Sequence, residues 1–194
     1  MAVNLQKVTK GQKVSFEKSM KLALVGLGWR AKFDLDVSAF LIGANGLCAS
    51  EQDFVFYGNL VHPSGAVYSK GDERGENLDE NDDGDGDQEQ IVVDFSKIPA
   101  YVEKIAIVVT IYDKGPTFGQ VNHAYVRVAK INHADDEVGE TMIEYDLEEE
   151  FSTETAVLAA EIFRSGSEWK FGAVGQGFEG GLAAVCANYG LEAE

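Results

Sequence analysis

Residues 71–89 carry ten carboxylates and a single Arg in a glycine-rich run that ends Gly84-Asp85-Gly86-Asp87-Gln88-Glu89. So many like charges in so short a segment repel one another unless a cation sits among them. Hard divalent ions take this donor set, carboxylate and carbonyl oxygens on a backbone that turns tightly around an ion. The competing reading is a solvated acidic loop with no chemistry, which is what most charge runs are. A second group of carboxylates has strand spacing. In Phe33–Leu41, the residues Phe33, Leu35, Val37, Ala39 and Leu41 share one face, and Asp34, Asp36 and Ser38 share the other. Two carboxylates on one strand face repel unless they are paired or metallated. Asp113 follows the apolar run Ile105–Ile111 and precedes a Gly115-Pro116 turn, a place for a turn cap or a ligand.

The helix-loop-helix calcium hand fails as a template for this run. Asp79, Asn81, Asp83 and Gly84 fit its positions 1, 3, 5 and 6, but position 12, where a bidentate Glu is required, is Gln90. Ile91–Phe95 also reads as strand rather than helix. A loop held between strands is the remaining form of calcium site. Catalytic signatures are thin. His62, His133 and His123 are scattered along the chain, and neither a Gly-x-Ser-x-Gly elbow nor a Gly-Lys-Ser/Thr phosphate loop is present. The alternative to a binding protein is a metal-dependent hydrolase of phosphate or phosphodiester substrates, working through the same acidic residues.

These residues need rigid elements to hold them, and the pattern supplies strands. Period-two alternation or short β-branched runs occur at 21–27, 33–41, 53–57, 91–93, 104–113, 124–131 and 141–147. Residues 155–163 fit helix or strand by pattern; the Ser165-Gly166 turn and the strand-like 168–174 favour a hairpin. Gly180–Tyr189 has helical spacing at Leu182, Val185 and Cys186 and is ended by Gly190. About nine strands with one short C-terminal helix predict a mainly β protein, an antiparallel β-sandwich. The 194 residues fit one domain, 1–194. The net charge of −17 resides in two patches, 71–89 and 135–150, so a basic face for nucleic acid or anionic lipid is excluded. The chain has no membrane-length apolar run and no apolar leader at its start. Cys48 and Cys186 read as separate thiols of a reducing compartment. A cytoplasmic location is expected.

Several blocks resemble the signature of the TerD family of tellurium-resistance and general stress proteins. They are Gly26-Leu27-Gly28-Trp29, Phe33-Asp34-Leu35-Asp36-Val37-Ser38-Ala39-Phe40-Leu41, Asp53-Phe54-Val55-Phe56-Tyr57, Gly84-Asp85-Gly86-Asp87-Gln88-Glu89, Ile111-Tyr112-Asp113, Phe118-Gly119-Gln120-Val121 and Ala173-Val174-Gly175-Gln176-Gly177-Phe178. They keep the family order across nearly the whole chain. The resemblance implies a β-sandwich that binds two calcium ions and has no established catalytic activity. Carried over residue by residue, it places Asp34, Asp36, Asp85, Asp87 and Glu89 at the metal, with Asp113 as a further ligand. The family's loop opening is matched by Gly71-Asp72, so Asp72 joins the set, with Asn77 in reserve under the other alignment. Two departures stand out: extra residues before Gly84, and His123 where the family commonly carries Asn. The implied function is a calcium-binding stress-response protein, a calcium-ordered interaction module rather than an enzyme. Its implied partners are calcium and other stress or tellurium-resistance proteins.

Overall fold

Short runs of alternating or β-branched residues set the architecture, because each can bury one face only by pairing laterally and stacking on another sheet. The computed structural model describes residues 5–72, 86–136, 139–147 and 151–192. Its strands, in chain order, are β1 (Gln6–Val8), β2 (Lys13–Ser15), β3 (Leu22–Arg30), β4 (Leu35–Gly43), β5 (Phe54–Val55), β6 (Val67–Asp72), β7 (Glu89–Asp94), β8 (Val102–Ile111), β9 (Asn122–Ile131), β10 (Glu140–Asp146), β11 (Ala156–Ser165) and β12 (Glu168–Phe178). One helix, α1 (Gly181–Asn188), follows.

The strands form two six-stranded sheets, ordered β1-β10-β9-β3-β7-β6 and β2-β12-β11-β8-β4-β5. The pairing is antiparallel throughout except for β1 against β10. The expected mainly β fold with a short C-terminal helix is therefore what the chain forms. The described residues form twelve strands rather than about nine. The three additional strands are β1, β2 and β6. β1 and β2 are three residues each and largely exposed, too short to show a period. β6 runs into the acidic segment, and its apolar content ends at Tyr68.

The main core lies between the sheets. Ala23, Val25 and Leu27 of β3 and Val126 and Val128 of β9 face Leu35, Val37, Ala39 and Leu41 of β4 and Ile105, Ile107 and Val109 of β8. A second apolar layer covers the outer face of the β8-containing sheet. There Phe40, Ile42, Ala106, Val108 and Leu158 pack under Val185, Cys186 and Tyr189. β4 thus buries both faces, and Asp36 and Ser38 share the α1-side face with Phe40 rather than facing open solvent. Phe40 stacks on Phe54, and Phe54 on Phe56, with ring centroids 4.3 and 4.2 Å apart. No helix among the described residues is long and apolar enough to cross a membrane.

Candidate metal centre

The antiparallel pairing of β4 with β8 places the start of one beside the end of the other, with Leu35 opposite Ile111 and Asp36 opposite Thr110. Asp34 and Asp113, 79 positions apart in sequence, meet there. The Asp34 N–H donates to Asp113 Oδ2 at 3.2 Å, and the Tyr112 N–H donates to the Asp34 carbonyl at 3.0 Å. Asp34 Oδ1 is itself buried, Asp36 is 7% exposed, and Asp113 is exposed.

Glu89 arrives at the same end from the other sheet. It opens β7, paired with Leu27 of β3 and Asp72 of β6, and is 5% exposed. Among the described residues, β5 pairs with β4 only at Ala39 and Phe40, and no strand pairs with the first half of that edge. Glu89 meets it there: its Oε2 accepts the Val37 N–H across the gap between the sheets. The backbone position of Asp72, opposite Glu89, puts the entry to the acidic segment at this end as well. Asp34, Asp36, Asp72, Glu89 and Asp113 thus converge on one end of the sandwich. Asp85 and Asn77 fall outside the described residues, as does most of the acidic run.

Asp87 lies elsewhere. In β3, Val25 and Leu27 face the core, so Gly26 presents the opposite, outer face. Asp87 covers it: an added Cβ on Gly26 would stand 2.1 Å from the Asp87 carboxyl. The carboxylate is fully buried and held as a fork by Arg127, with Nε to Oδ1 and Nη2 to Oδ2 both 2.5 Å. Gln90 Nε2 donates to Oδ2 at 2.9 Å, and Arg127 Nη1 donates to Thr141 Oγ1 at 2.8 Å. Burial lowers the Arg127 pKa, but the Asp87 carboxylate outweighs it and the net shift is upward.

The donor chemistry suits a hard cation. Every converging side chain is a carboxylate, with Ser38 and Thr110 hydroxyls nearby on the same strand pair and no nitrogen or sulfur donor among them. Ser38 Oγ, 2% exposed, has no hydrogen-bond partner, and Asp36 and Glu89 are both buried. Among the described residues no group of three or more His, Cys, Asp or Glu is close enough to hold an ion by itself.

Two features escape sequence reasoning. His123 has φ +53°, the left-handed region in which Asn is favoured among non-glycine residues, so that position is set by backbone conformation rather than by metal binding. His62 is not isolated. Its Nε2 lies 3.0 Å from Asp53 Oδ1 and its Nδ1 2.8 Å from Ser64 Oγ. The Ser64 N–H donates to Nδ1, which makes Nδ1 the acceptor and Nε2–H the donor to Asp53. Asp53 also accepts the Ala49 and Ser50 N–H groups and the Tyr101 hydroxyl, while Ser64 Oγ accepts the Ala66 N–H. With every oxygen of Asp53 committed, this Ser–His–Asp row is a buried polar tie between the 49–53 turn and the 62–66 turn. Cys48 and Cys186 are free thiols packed in the same outer layer. Burial pushes both up, Cys48 to about 12, so neither offers a thiolate near neutral pH.

The TerD domain model matches residues 1–189. The chain is 49% identical to the protein YceE of Bacillus subtilis, over 99% of this chain and 100% of that one. It is 45% identical to tellurium resistance protein TerD of Serratia marcescens over the full length of both. It is 42% identical to general stress protein 16U of Bacillus subtilis, over 95% of this chain and 97% of that one. Among solved structures, a homologue of telluride resistance protein (TerD) from Streptomyces coelicolor A3(2) superposes with a TM-score of 0.61 at 21% identity, covering 87% of this chain and 96% of that one.

The Asp53 tie makes a pH-dependent prediction. Burial raises its pKa, but hydrogen bonds from Tyr101, His62, Ala49 and Ser50 outweigh burial and leave it below the ordinary Asp value. Its contribution is therefore complete above the unfolded pKa of about 3.9 and is lost as pH falls through the lower folded value. Asp53→Asn should cost about 2–4 kcal/mol at pH 7. In urea titrations that deficit should shrink as pH falls below the unfolded value; an equal deficit at pH 7 and pH 2 would show that the carboxylate's charge is irrelevant.

Proposed function

Because the chain belongs to the TerD family of tellurium-resistance and general stress proteins, we propose that its acidic end is a calcium site whose occupancy orders residues 71–89 into an interaction surface. The observation that carries this reading is the convergence of Asp34, Asp36, Asp113 and Glu89, drawn from both sheets, on the end where the acidic segment begins and returns. In this reading Asp34, Asp36, Asp113 and Glu89 are the ligand candidates on the strands, and Asp72 and Asp85 are the candidates from the acidic segment. Calcium fits better than magnesium because a shell assembled from a long glycine-bearing loop tolerates high and irregular coordination, whereas magnesium demands a tight octahedron. The family resemblance implies two ions.

The binding-module reading is supported by what lies beside the site. Tyr112, next to Asp113, is 56% exposed and meets Tyr57, 49% exposed, edge-on at 6.1 Å. Two solvent-facing rings at the rim of a charge-neutralised acidic end form a surface of the kind aromatic-rich interfaces use. Its partners are other stress or tellurium-resistance proteins, and the cytoplasm is the proposed compartment. The names borne by the relatives describe resistance and stress rather than a reaction. Calcium here serves order rather than turnover, since every function assigned to it needs only binding to the native state. Direct capture of a tellurium oxyanion is disfavoured by the net charge of −17 and by the buried, protonated thiols.

Two outcomes are expected. Ligand bound only to the native state at 100 times its Kd stabilises by about 2.7 kcal/mol. For a chain of this size that moves Tm by roughly 5–10 °C. Calcium should therefore raise Tm and chelator should reverse the rise; superimposable melts in calcium and in chelator would refute an ion-stabilised fold. The double substitution Asp34→Asn and Asp36→Asn removes two charges from the rigid part of the site. It should weaken calcium at least tenfold, about 1.4 kcal/mol. Unchanged affinity would move the ligands away from β4.

A further inference from the structure

We infer that Asp87 is not an ion ligand but an anchor, and that Arg127 is the positioning residue that holds the returning arm of the acidic segment in register for the ion. The inference rests on the calcium reading above and identifies what sets the geometry of that site.

Face assignment separates Asp87 from the other carboxylates. Val126 and Val128 of β9 point into the inter-sheet core, so Tyr125 and Arg127 stand on the outer face. They lie opposite Gly28 and Gly26 of β3 in the strand register. Asp87 is bound on that outer face. Glu89, two residues on, pairs with core-facing Leu27 and reaches Val37 between the sheets. One ion cannot take Glu89 from the inner side and Asp87 from the outer side of the same sheet. The Asp87 oxygens are moreover occupied, by the Arg127 fork and by Gln90, in a site from which solvent is excluded. Breaking a buried fork of this kind to metallate one partner leaves a buried guanidinium unpaired, which is costly.

The surrounding contacts show a built anchorage rather than a chance ion pair. The Tyr125 ring occupies the space over Gly28, where an added Cβ would lie 2.3 Å from Cζ, and its hydroxyl donates to the Gly86 carbonyl at 3.1 Å. The Gln88 N–H donates to the Leu27 carbonyl at 2.8 Å, and the Trp29 N–H donates to Gln88 Oε1 at 3.1 Å. Residues 86–90 are thereby held to β3 through the backbone and to β9 through Tyr125 and Arg127 on the outer face. Gly26 and Gly28 are the sequence mark of this arrangement: each leaves the space that a partner side chain fills. The arm's charge at Asp87 is cancelled within the protein, so the ion is left to neutralise Glu89 and the carboxylates where β4 begins and β8 ends. Groups that orient ligating side chains tune metal affinity by ten- to a hundredfold without touching the metal; this pair acts through the arm that carries Glu89.

The test is a double-mutant cycle on calcium affinity in the full chain, using Asp87→Asn, Arg127→Gln and the double variant, with calcium chloride as the probe. An anchor predicts that each single substitution weakens calcium at least tenfold and that the double variant is no weaker than the worse single. A ligand predicts the opposite pattern: Asp87→Asn weakens calcium, while Arg127→Gln frees the carboxylate and leaves affinity unchanged or tighter, which overturns the inference. A fall in Tm with unchanged affinity in Arg127→Gln would also overturn it, by showing a structural role alone. Arg127→Lys keeps the charge but not the fork. It should give an intermediate loss, and it stands in if Arg127→Gln does not fold. Amide exchange at Gln88 and Trp29 provides a readout independent of calcium, and it should accelerate in both single variants. If the wild type binds no calcium, the calcium reading and the positioning role fall together. Exchange then still decides whether Arg127 anchors the arm: unchanged protection in both singles would dispose of the anchor too.

Discussion

Charge crowding is the constraint on which the rest of this structure depends. Ten carboxylates in residues 71–89 enter from β6 and leave into β7, and the sandwich must hold both ends of that segment against their mutual repulsion. It does so by committing parts of the segment separately. Asp87 is cancelled by Arg127 on the outer face of one sheet, and Glu89 is spent on a backbone N–H of the other. Asp34, Asp36 and Asp113 lie together where the start of β4 meets the end of β8. That end is oxygen-rich and anionic, where a cation has the most to gain.

The Glu89 contact also ties the two sheets together at the site. β5 is two residues long, so among the described residues no strand pairs with the edge of β4 where its acidic start lies, and an unpaired strand edge is a weak point. A carboxylate from β7 closes it. The site is thereby built from both layers of the sandwich, and any motion of one sheet against the other at that end changes its geometry. In the calcium reading proposed above, that coupling is the route from the ion to the exposed pair Tyr57 and Tyr112, because Tyr112 is bonded through its backbone to Asp34.

Much of this was legible in the sequence, and the limits are instructive. The alternation in 33–41 placed Leu35, Val37, Ala39 and Leu41 in the core and Asp36 on the other face. It did not show that the other face is itself covered, because the covering elements, α1 and the Phe40–Phe54–Phe56 stack, come from distant segments. The meeting of Asp34 with Asp113 was suspected from residue type and strand position, but register decides it and register is not written locally. Asp87 was grouped with Asp85 and Glu89 because all three share one motif. Its partner, Arg127, lies 40 residues away, and only the bare Gly26 and Gly28 hinted that something must lie over β3. His62 looked isolated because Asp53 and Tyr101 reach it across turns rather than along a strand.

The central claim is that the acidic end binds calcium, and calorimetric titration of metal-stripped protein with calcium, against magnesium, tests it most directly. The account predicts saturable, calcium-selective binding at up to two ions per chain, with heat that disappears when Asp34 and Asp36 are both replaced by Asn. No calcium heat, or equal binding of magnesium, would contradict it and leave residues 71–89 a solvated charge run on a TerD fold.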